Sequence, residues 1–555
     1  MTKRISRVQI IPLGGVGEVG KNMTAIRYGQ EIIIIDAGLK FPDDDMLGID
    51  YVIPRMEFLK ENQHLLKALI LTHGHEDHIG AVPYYLMQTP TPIFASALTR
   101  GLLENKLKEH RLKADFHTIQ DGETVNIGRH FKVEFIQNNH SIPDSFSLAI
   151  YTPAGVIIHT GDFKIDQTPV QSKVIDMQKL ATIGQKGVLA LLCDSTNAER
   201  DGFTKSERVV GHSFDQIFRE HGNERIIIAT FASNVHRVQQ IFDIAAKYKR
   251  RVAAVGRSMI NNIEIAVSLG YLRFAAGSYV SIDDISSIPP HELVIISTGS
   301  QGEPLSGLTR MARQSHPKVN IVPGDVIILS STPIPGNETL VNKIINGLYR
   351  CGATVIHQGN ADIHVSGHAS SEELKLMLSL IKPKYVLPVH GEYRHQAAFL
   401  RLAEEMGYDK ERAFLPEIGD VIDLSMEGLR KVGKVDAGLT LIDGLGIGDI
   451  GNTVLRERQS LSQDGVVTLV MAYSKKRKQA VSSLEILSRG FIYVRESETL
   501  IEEIQQICQG VLSECKQSGR TASEQIKEMI QEALGVFLYD KTGRRPMIIP
   551  VIMEL

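Results

Sequence analysis

The sequence contains no tryptophan and only four cysteines, Cys193, Cys351, Cys508 and Cys515, in 555 residues. None of the four has zinc-ribbon spacing, and four thiols in a chain of this length do not make a disulfide framework. Isolated thiols fit a reducing compartment, so a cytoplasmic protein is expected. No run of ~18 apolar residues occurs, which excludes a membrane-spanning helix. The opening Met1-Thr2-Lys3-Arg4 leads directly into a strand-like run, with no hydrophobic leader or cleavage site. Charge of one sign is also missing. A formal net charge of -3 excludes coating of nucleic acid by bulk charge, while leaving room for a local basic groove.

What is present is an ordinary globular composition, 43% hydrophobic, in a chain long enough for more than one domain. Short β-branched runs at 8–12, 23–27, 31–35, 68–71, 132–136, 147–151 and 156–159 are bounded by Gly, Pro or Asp and read as strands. A helix is expected over 99–111. From about residue 206 the pattern changes. The runs 225–230, 251–255, 293–297 and 326–329 are continuously apolar, as strands buried on both faces are. Helical stretches at 235–248 and 260–269 separate them. A smaller unit from about residue 460 combines a strand at 465–472, a helix at 496–517 and a final strand at 547–553. The class is α/β.

Chemistry concentrates where the strand 68–71 runs into Thr72-His73-Gly74-His75-Glu76-Asp77-His78. Imidazole and carboxylate are ligands that zinc accepts besides thiolate. Packing four such groups into six residues without a cation would cost several kcal/mol. Three other strand ends carry the same residue types: Asn139-His140-Ser141, His159-Thr160-Gly161-Asp162 and Pro388-Val389-His390-Gly391-Glu392. Each alone is as well read as a hydrogen-bonded loop residue. Together they supply the ligands that the first cluster lacks for two closed sites.

Asp36, the H-x-H-x-D-H cluster, His140 and Asp162 resemble the pattern of the metallo-β-lactamase superfamily. Asp194, His368 and His390 are similar to its nucleic-acid-processing β-CASP branch. The segments LGGVGEVGKN, DAGLKFPDDDMLGIDYVIP, LTHGHEDHIGA, NHSIPDS, HTGDFK, STGSQGEP, STPIPGN, HVSGH, PVHGEYR and RRPMIIPVIMEL resemble bacterial ribonuclease J from Leu13 to Leu555. The resemblance implies a four-layer αββα metal-binding sandwich from residues 1–205 and 352–425, with a β-CASP α/β domain, 206–351, inserted. A linker at 426–459 and a small α/β C-terminal oligomerisation domain at 460–555 would follow.

The same resemblance implies two zinc ions per subunit, with manganese as the alternative that N/O sites admit. His73, His75 and His140 would hold the first, and Asp77, His78 and His390 the second. Asp162 would bridge them, and Asp36 would orient a ligand imidazole from behind. A hydroxide shared by the ions would attack the phosphodiester in line, and His368, supported by Asp194, would protonate the leaving oxygen. Ser233, Asn234, Val235, His364, Val365, Ser366, Gly367 and His368 would contact single-stranded RNA bearing a 5′-monophosphate. The implied activity is 5′→3′ exonuclease and endonuclease action in mRNA decay and rRNA maturation. The implied assembly is a homodimer or tetramer, with a paralogous subunit as a further partner. Some family members carry a degraded H-x-H-x-D-H; this chain keeps all four residues. Two positions depart from the pattern: Ala369-Ser370 stand where Gly-Gly is expected, and Asn138-Asn139 precede His140.

Other readings stay open at this point. Asp194 reads equally as a cap for the turn Ser195-Thr196-Asn197, and Ser233-Asn234 as a helix cap. A small-ester metallohydrolase explains the zinc ligands but not the inserted domain, His364–His368 or His390, and intact His73, His75, Asp77 and His78 speak against a non-catalytic subunit of an RNA-degrading assembly. Gly14-Gly15-Val16-Gly17 lacks the spacing of a dinucleotide fold. Ser474-Lys475-Lys476-Arg477-Lys478 is a solvated turn or an RNA or partner contact. Gly48, Asp50 and Asp443 form a candidate structural calcium site, set against the commonness of Asp in turns.

Overall fold

A computed structural model describes residues 6–303, 305–333, 337–474, 476–477, 479–492, 498–519 and 522–554. The chain divides into two compact units, Met1–Lys40 with Ile53–Leu439, and Phe41–Val52 with Thr440–Leu555.

The first unit contains a sandwich of two sheets. One has the strand order Gly428–Lys434, Asp420–Ser425, Val8–Gly14, Met23–Tyr28, Glu31–Ile35, Leu66–Ile70, Ile93–Ala95, Phe116–Thr118. The other runs Tyr385–Val389, Ala190–Asp194, Gly155–His159, Phe146–Thr152, Phe131–Gln137, Thr124–Ile127. Side chains alternate across a strand, and the sequence uses that alternation. In Ala190–Asp194, Ala190 and Leu192 join Ile33, Ile35, Ala68 and Ile70 of the facing sheet in one core. Leu191 and Cys193 point the other way, into a second core with Leu180, Leu374, Met377 and Phe399 from the outer helices. Helix on sheet on sheet is therefore a direct result of period-two patterning.

A third sheet, inserted between Asp194 and Tyr385, is parallel throughout: Tyr279–Val280, Arg251–Val255, Leu293–Ser297, Ile226–Ala229, Val326–Leu329, Thr354–Ile356. Ile226, Ile227, Ile228 and Ala229 are all fully buried, as a strand covered by helices on both faces requires. Its last strand, Thr354–Ile356, lies beyond the boundary at 351 expected from sequence.

The stretch 426–459, expected as a linker, is structured. Gly428–Lys434 closes one edge of the eight-stranded sheet, and Leu439–Asp443, Gly446–Ile447 and the start of helix Asn452–Asp464 follow. In the second unit, Val466–Ser474 pairs in parallel with Met547–Glu554, over a core shared with helices Glu498–Ser518 and Ser523–Thr542. Among the described residues no helix is long and apolar enough to cross a membrane.

Candidate metal centre

One end of the sandwich gathers every ligand expected from sequence. The strand Leu66–Ile70 leads to His73, His75, Asp77 and His78, Phe131–Gln137 to His140, Gly155–His159 to Asp162, and Tyr385–Val389 to His390. Two groups result. In the first, His75 Nδ1 lies 3.1 Å from both His73 Nε2 and His140 Nε2, and each of those lies 3.7 Å from Asp162 Oδ2. In the second, His78 Nε2 is 3.2 Å from Asp162 Oδ2 and 3.6 Å from Asp77 Oδ2, and His390 Nε2 is 3.1 Å from Asp77 Oδ2. The carboxylate of Asp162 is common to both groups.

These spacings fit metal ions. Ligands 2.0–2.1 Å from a tetrahedral zinc stand about 3.3 Å from one another. The tautomers fit as well. His140 Nδ1 donates to the Gly367 carbonyl at 2.8 Å, and His78 Nδ1 donates to Asp36 Oδ2 at 2.8 Å. When such a ring is neutral, that bond leaves its Nε2 lone pair aimed at its group. Asp162 Oδ1, although buried, accepts no hydrogen bond. A cation in each group would satisfy all of these acceptors at once.

The electrostatics of the two groups differ. Burial, reinforced by neighbouring imidazoles, pushes His73 and His140 well below the usual histidine range, and His75 to about 4. In the second group burial opposes protonation too, but the carboxylates outweigh it. Asp162, Asp77 and Asp36 hold His78 well above its ordinary value, and Asp162, Asp194 and Asp77 raise His390 to about 10.

Asp36, at φ +61°, accepts from the Thr72 backbone N–H at 2.8 Å, from Thr72 Oγ1 at 2.9 Å and from His78. Asp194 makes two sets of contacts. Its Oδ1 accepts from Thr196 N–H and Oγ1 at 3.0 and 2.8 Å, capping the turn, while Oδ2 stands 2.8 Å from His368 Nδ1. His368 in turn is 4.0 Å from the shared Asp162. Burial works against a charged His368, but the Asp194 carboxylate outweighs it and raises its pKa.

Around this pair the loop 363–368 is tightly held. Ser366 Oγ accepts from Asn197 Nδ2 at 2.8 Å. Only glycine fits at 367, where a Cβ would stand 2.5 Å from the His140 ring. Ala369 is buried, and Ser370 forms a capping box with Glu373 at the start of helix Ser371–Ile381. The other departure is also structural: Asn139 Oδ1 accepts from Ile175 N–H at 3.1 Å, and its Nδ2 donates to the Lys173 carbonyl at 2.7 Å. Across the loop from the inserted sheet, Asn234 caps helix Val235–Lys247 by accepting from Arg237 N–H at 3.0 Å. Ser233 is partly exposed beside it, and Val235 is buried with its N–H on the Ser233 carbonyl. The Nδ1 of His364 is buried with no hydrogen-bond partner.

Three contributors were not assigned from sequence. Asn22 Nδ2 reaches the Asp77 carbonyl at 3.0 Å and His78 Nε2 at 3.2 Å. Thr196 Oγ1 meets His390 Nδ1 at 2.8 Å. Asn197 Nδ2 donates to the His368 carbonyl at 3.0 Å. Asn22 lies in the glycine-rich segment and Thr196 in the Asp194 turn, so the motifs contained them without disclosing their partners. At the group Gly48, Asp50 and Asp443, expected as a calcium site, Arg458 Nη2 pairs with Asp443 at 2.5 Å, Arg458 Nη1 donates to the Leu47 carbonyl at 3.0 Å, and Asp50 accepts from Gly444 N–H. Within the turn 474–478, Lys475 and Lys478 lie outside the described residues.

Fold and site together define a hydrolase of the metallo-β-lactamase class with an inserted β-CASP domain. Family models agree along the chain: the metallo-beta-lactamase superfamily at residues 16–173, the ribonuclease J beta-CASP domain at 223–348, the Zn-dependent metallo-hydrolase RNA specificity domain at 354–416 and the ribonuclease J C-terminal domain at 453–555. Ribonuclease J2 of Bacillus subtilis is 45% identical over the whole of both chains. Ribonuclease J 1 of Streptococcus pyogenes is 45% identical over 99% of this chain and 98% of its own, and ribonuclease J of Thermus thermophilus 43% over 99% and 95%. The chain belongs to the ribonuclease J family, a family of metal-dependent ribonucleases. A solved protein of unknown function from Enterococcus faecalis V583 shares the fold, with a TM-score of 0.54 at 15% identity over 76% of this chain and all of its own.

Proposed function

We propose that the protein is a two-metal ribonuclease that cleaves single-stranded RNA from its 5′ end and also internally. One observation carries this reading: two ligand groups share Asp162, and the His368–Asp194 pair lies beside them. Two zinc or manganese ions bound there would supply Lewis-acid chemistry to a phosphodiester. His73, His75, His140 and Asp162 would hold one ion, and Asp77, His78, His390 and Asp162 the other. Asp36 and Thr196 keep the His78 and His390 rings turned toward them. His368 keeps its Nδ1 on Asp194, which leaves Nε2 to carry a proton to the departing 3′-oxygen. Ser233, Asn234, Val235 and residues 364–368 line the path of the RNA chain and its 5′-monophosphate.

The retained H-x-H-x-D-H set favours a catalytic protein over a structural subunit, and the inserted sheet favours RNA over a small ester. The biological setting we infer is mRNA decay and rRNA maturation in the cytoplasm, a reducing compartment that a chain with only four cysteines fits. In the second unit the strand Met547–Glu554 exposes Ile549, Val551 and Met553. This apolar row supports assembly as a dimer or tetramer, with itself or with a paralogous subunit.

The test is release of mononucleotides from one RNA carrying a 5′-monophosphate or a 5′-triphosphate, with elemental analysis of bound metal and a His73→Ala control. Faster release from the monophosphate, lost in the control, is expected. Metal-loaded protein that leaves both RNAs intact would refute the reading.

A further inference from the structure

The largest fully buried side chain in the described residues is a cation, Arg237. It sits on helix Val235–Lys247, three residues after the cap Asn234, and its guanidinium ties together segments far apart in sequence. Nε donates to Glu207 Oε1 at 2.6 Å. Nη1 donates to Ser330 Oγ at 2.6 Å, to the Ser330 carbonyl at 3.1 Å and to the Ile363 carbonyl at 3.2 Å. Ser330 Oγ completes the triangle by donating to the same Ile363 carbonyl at 2.6 Å. The charge is balanced by Glu207, whose backbone carbonyl also accepts from Gln240 of the same helix at 3.0 Å.

The Ile363 carbonyl belongs to the peptide immediately before His364. Arg237 therefore fixes the origin of the 364–368 loop relative to the Ser233-Asn234 turn, which is anchored to Arg237 through its own backbone N–H. These are the two halves of the surface assigned above to RNA. A guanidinium is suited to this place because its rigid, planar set of donors spans several acceptors at fixed angles, whereas an ammonium offers donors from one point. Burial and the Arg237 charge also drive the pKa of His364 down to about 3, which keeps that ring neutral beside its unpartnered Nδ1.

We propose that Arg237 is a positioning residue: it touches no substrate, and it sets the distance and angle between Ser233-Asn234 and the His364–His368 loop so that both engage one RNA chain. This inference rests on the ribonuclease reading. None of its contacts involves a metal ligand, so its loss acts on substrate binding and not on metal content.

The test compares the full-length wild type, Arg237→Lys, Ser330→Ala and Ile228→Ala, on 5′-monophosphorylated RNA below the melting temperature of the least stable variant. Ile228 is fully buried in the parallel sheet and makes none of these contacts, so it reports the effect of lost stability alone. Arg237→Lys is expected to raise KM about 10-fold or more at unchanged bound metal, because misplacing a binding element by an ångström costs on the order of 100-fold. Ser330→Ala, a milder change that keeps the guanidinium, is expected to raise KM about 3-fold, while Ile228→Ala leaves KM at the wild-type value. An unchanged KM in Arg237→Lys, or an equal rise in Ile228→Ala at matched loss of melting temperature, overturns the inference alone. If Arg237→Lys does not fold, an unchanged KM in Ser330→Ala has the same force. A wild type that cleaves no RNA removes the ribonuclease reading and this inference together.

Discussion

The sandwich and the inserted sheet are both α/β, yet their strand ends carry different chemistry. In the sandwich they carry imidazoles and carboxylates: His73, His140, Asp162, Asp194 and His390. In the parallel sheet they carry hydroxyls: Thr230 after Ile226–Ala229, Ser297 ending Leu293–Ser297, and Ser330 after Val326–Leu329. Ligands of the first kind concentrate charge around a cation. Groups of the second kind direct hydrogen bonds at carbonyls and anions without fixed charge. The difference separates a rim that gathers charge from one whose buried hydroxyls bond backbone carbonyls, Thr230 to Ser330, Ser297 to Thr298 and Ser330 to Ile363.

Substitutions in one body should leave the other's property intact. The largest effect is expected from His73→Ala, which removes a ligand from the first group. RNA cleavage should fall by at least about 1,000-fold with loss of bound metal, measured by elemental analysis, while the melting transition of the parallel sheet persists. His368→Ala should be next, lowering kcat by roughly 100- to 10,000-fold with metal content unchanged. A His368→Ala protein that has lost its metal would merge the two roles and break the division.

Ile228→Ala addresses the opposite body. It should destabilise the protein by about 2–5 kcal/mol in denaturant titration while kcat per folded molecule stays at the wild-type value. The smallest effect is expected at Glu31, in the sandwich but away from the metal groups. Burial opposes its ionisation, but the backbone N–H groups of Arg129 and His130 and the His130 imidazole outweigh this and hold its pKa below the usual carboxylate range. Its stabilisation is present above the unfolded carboxyl pKa of about 4.3 and is lost as pH falls through the lower folded value. Glu31→Gln should therefore cost about 1–2 kcal/mol at pH 7 and flatten the acid limb of the stability profile.

Much of this was legible because it is local. The H-x-H-x-D-H cluster announces itself within one turn, and continuous isoleucine runs declare a strand buried on both faces. The helix expected at 99–111 forms as Ala97–Glu109, since Ser96 caps it by accepting from Thr99 N–H at 3.1 Å. What escaped depends on closure over long separations. Thr196 acquires its role only when Tyr385–Val389 pairs with Ala190–Asp194 and delivers His390 to it. Arg237 becomes a tie only once Glu207, Ser330 and Ile363 converge on it. Arg458, fifteen residues from Asp443, pairs with it only once the helix Asn452–Asp464 is in place.

The order of the ligands along the chain has a consequence for biosynthesis. His73 through Asp162 are made early, but His390 follows the whole parallel sheet, and its strand completes the sheet edge beside Ala190–Asp194. At ~5–20 residues per second, roughly 10 to 45 s separate the synthesis of Asp162 from that of His390. A nascent chain on the ribosome thus carries the three-histidine group while lacking the residue that closes the second one. Of the four members of the second ligand group, Asp77, His78 and Asp162 are in place on the chain before the last, His390, is made.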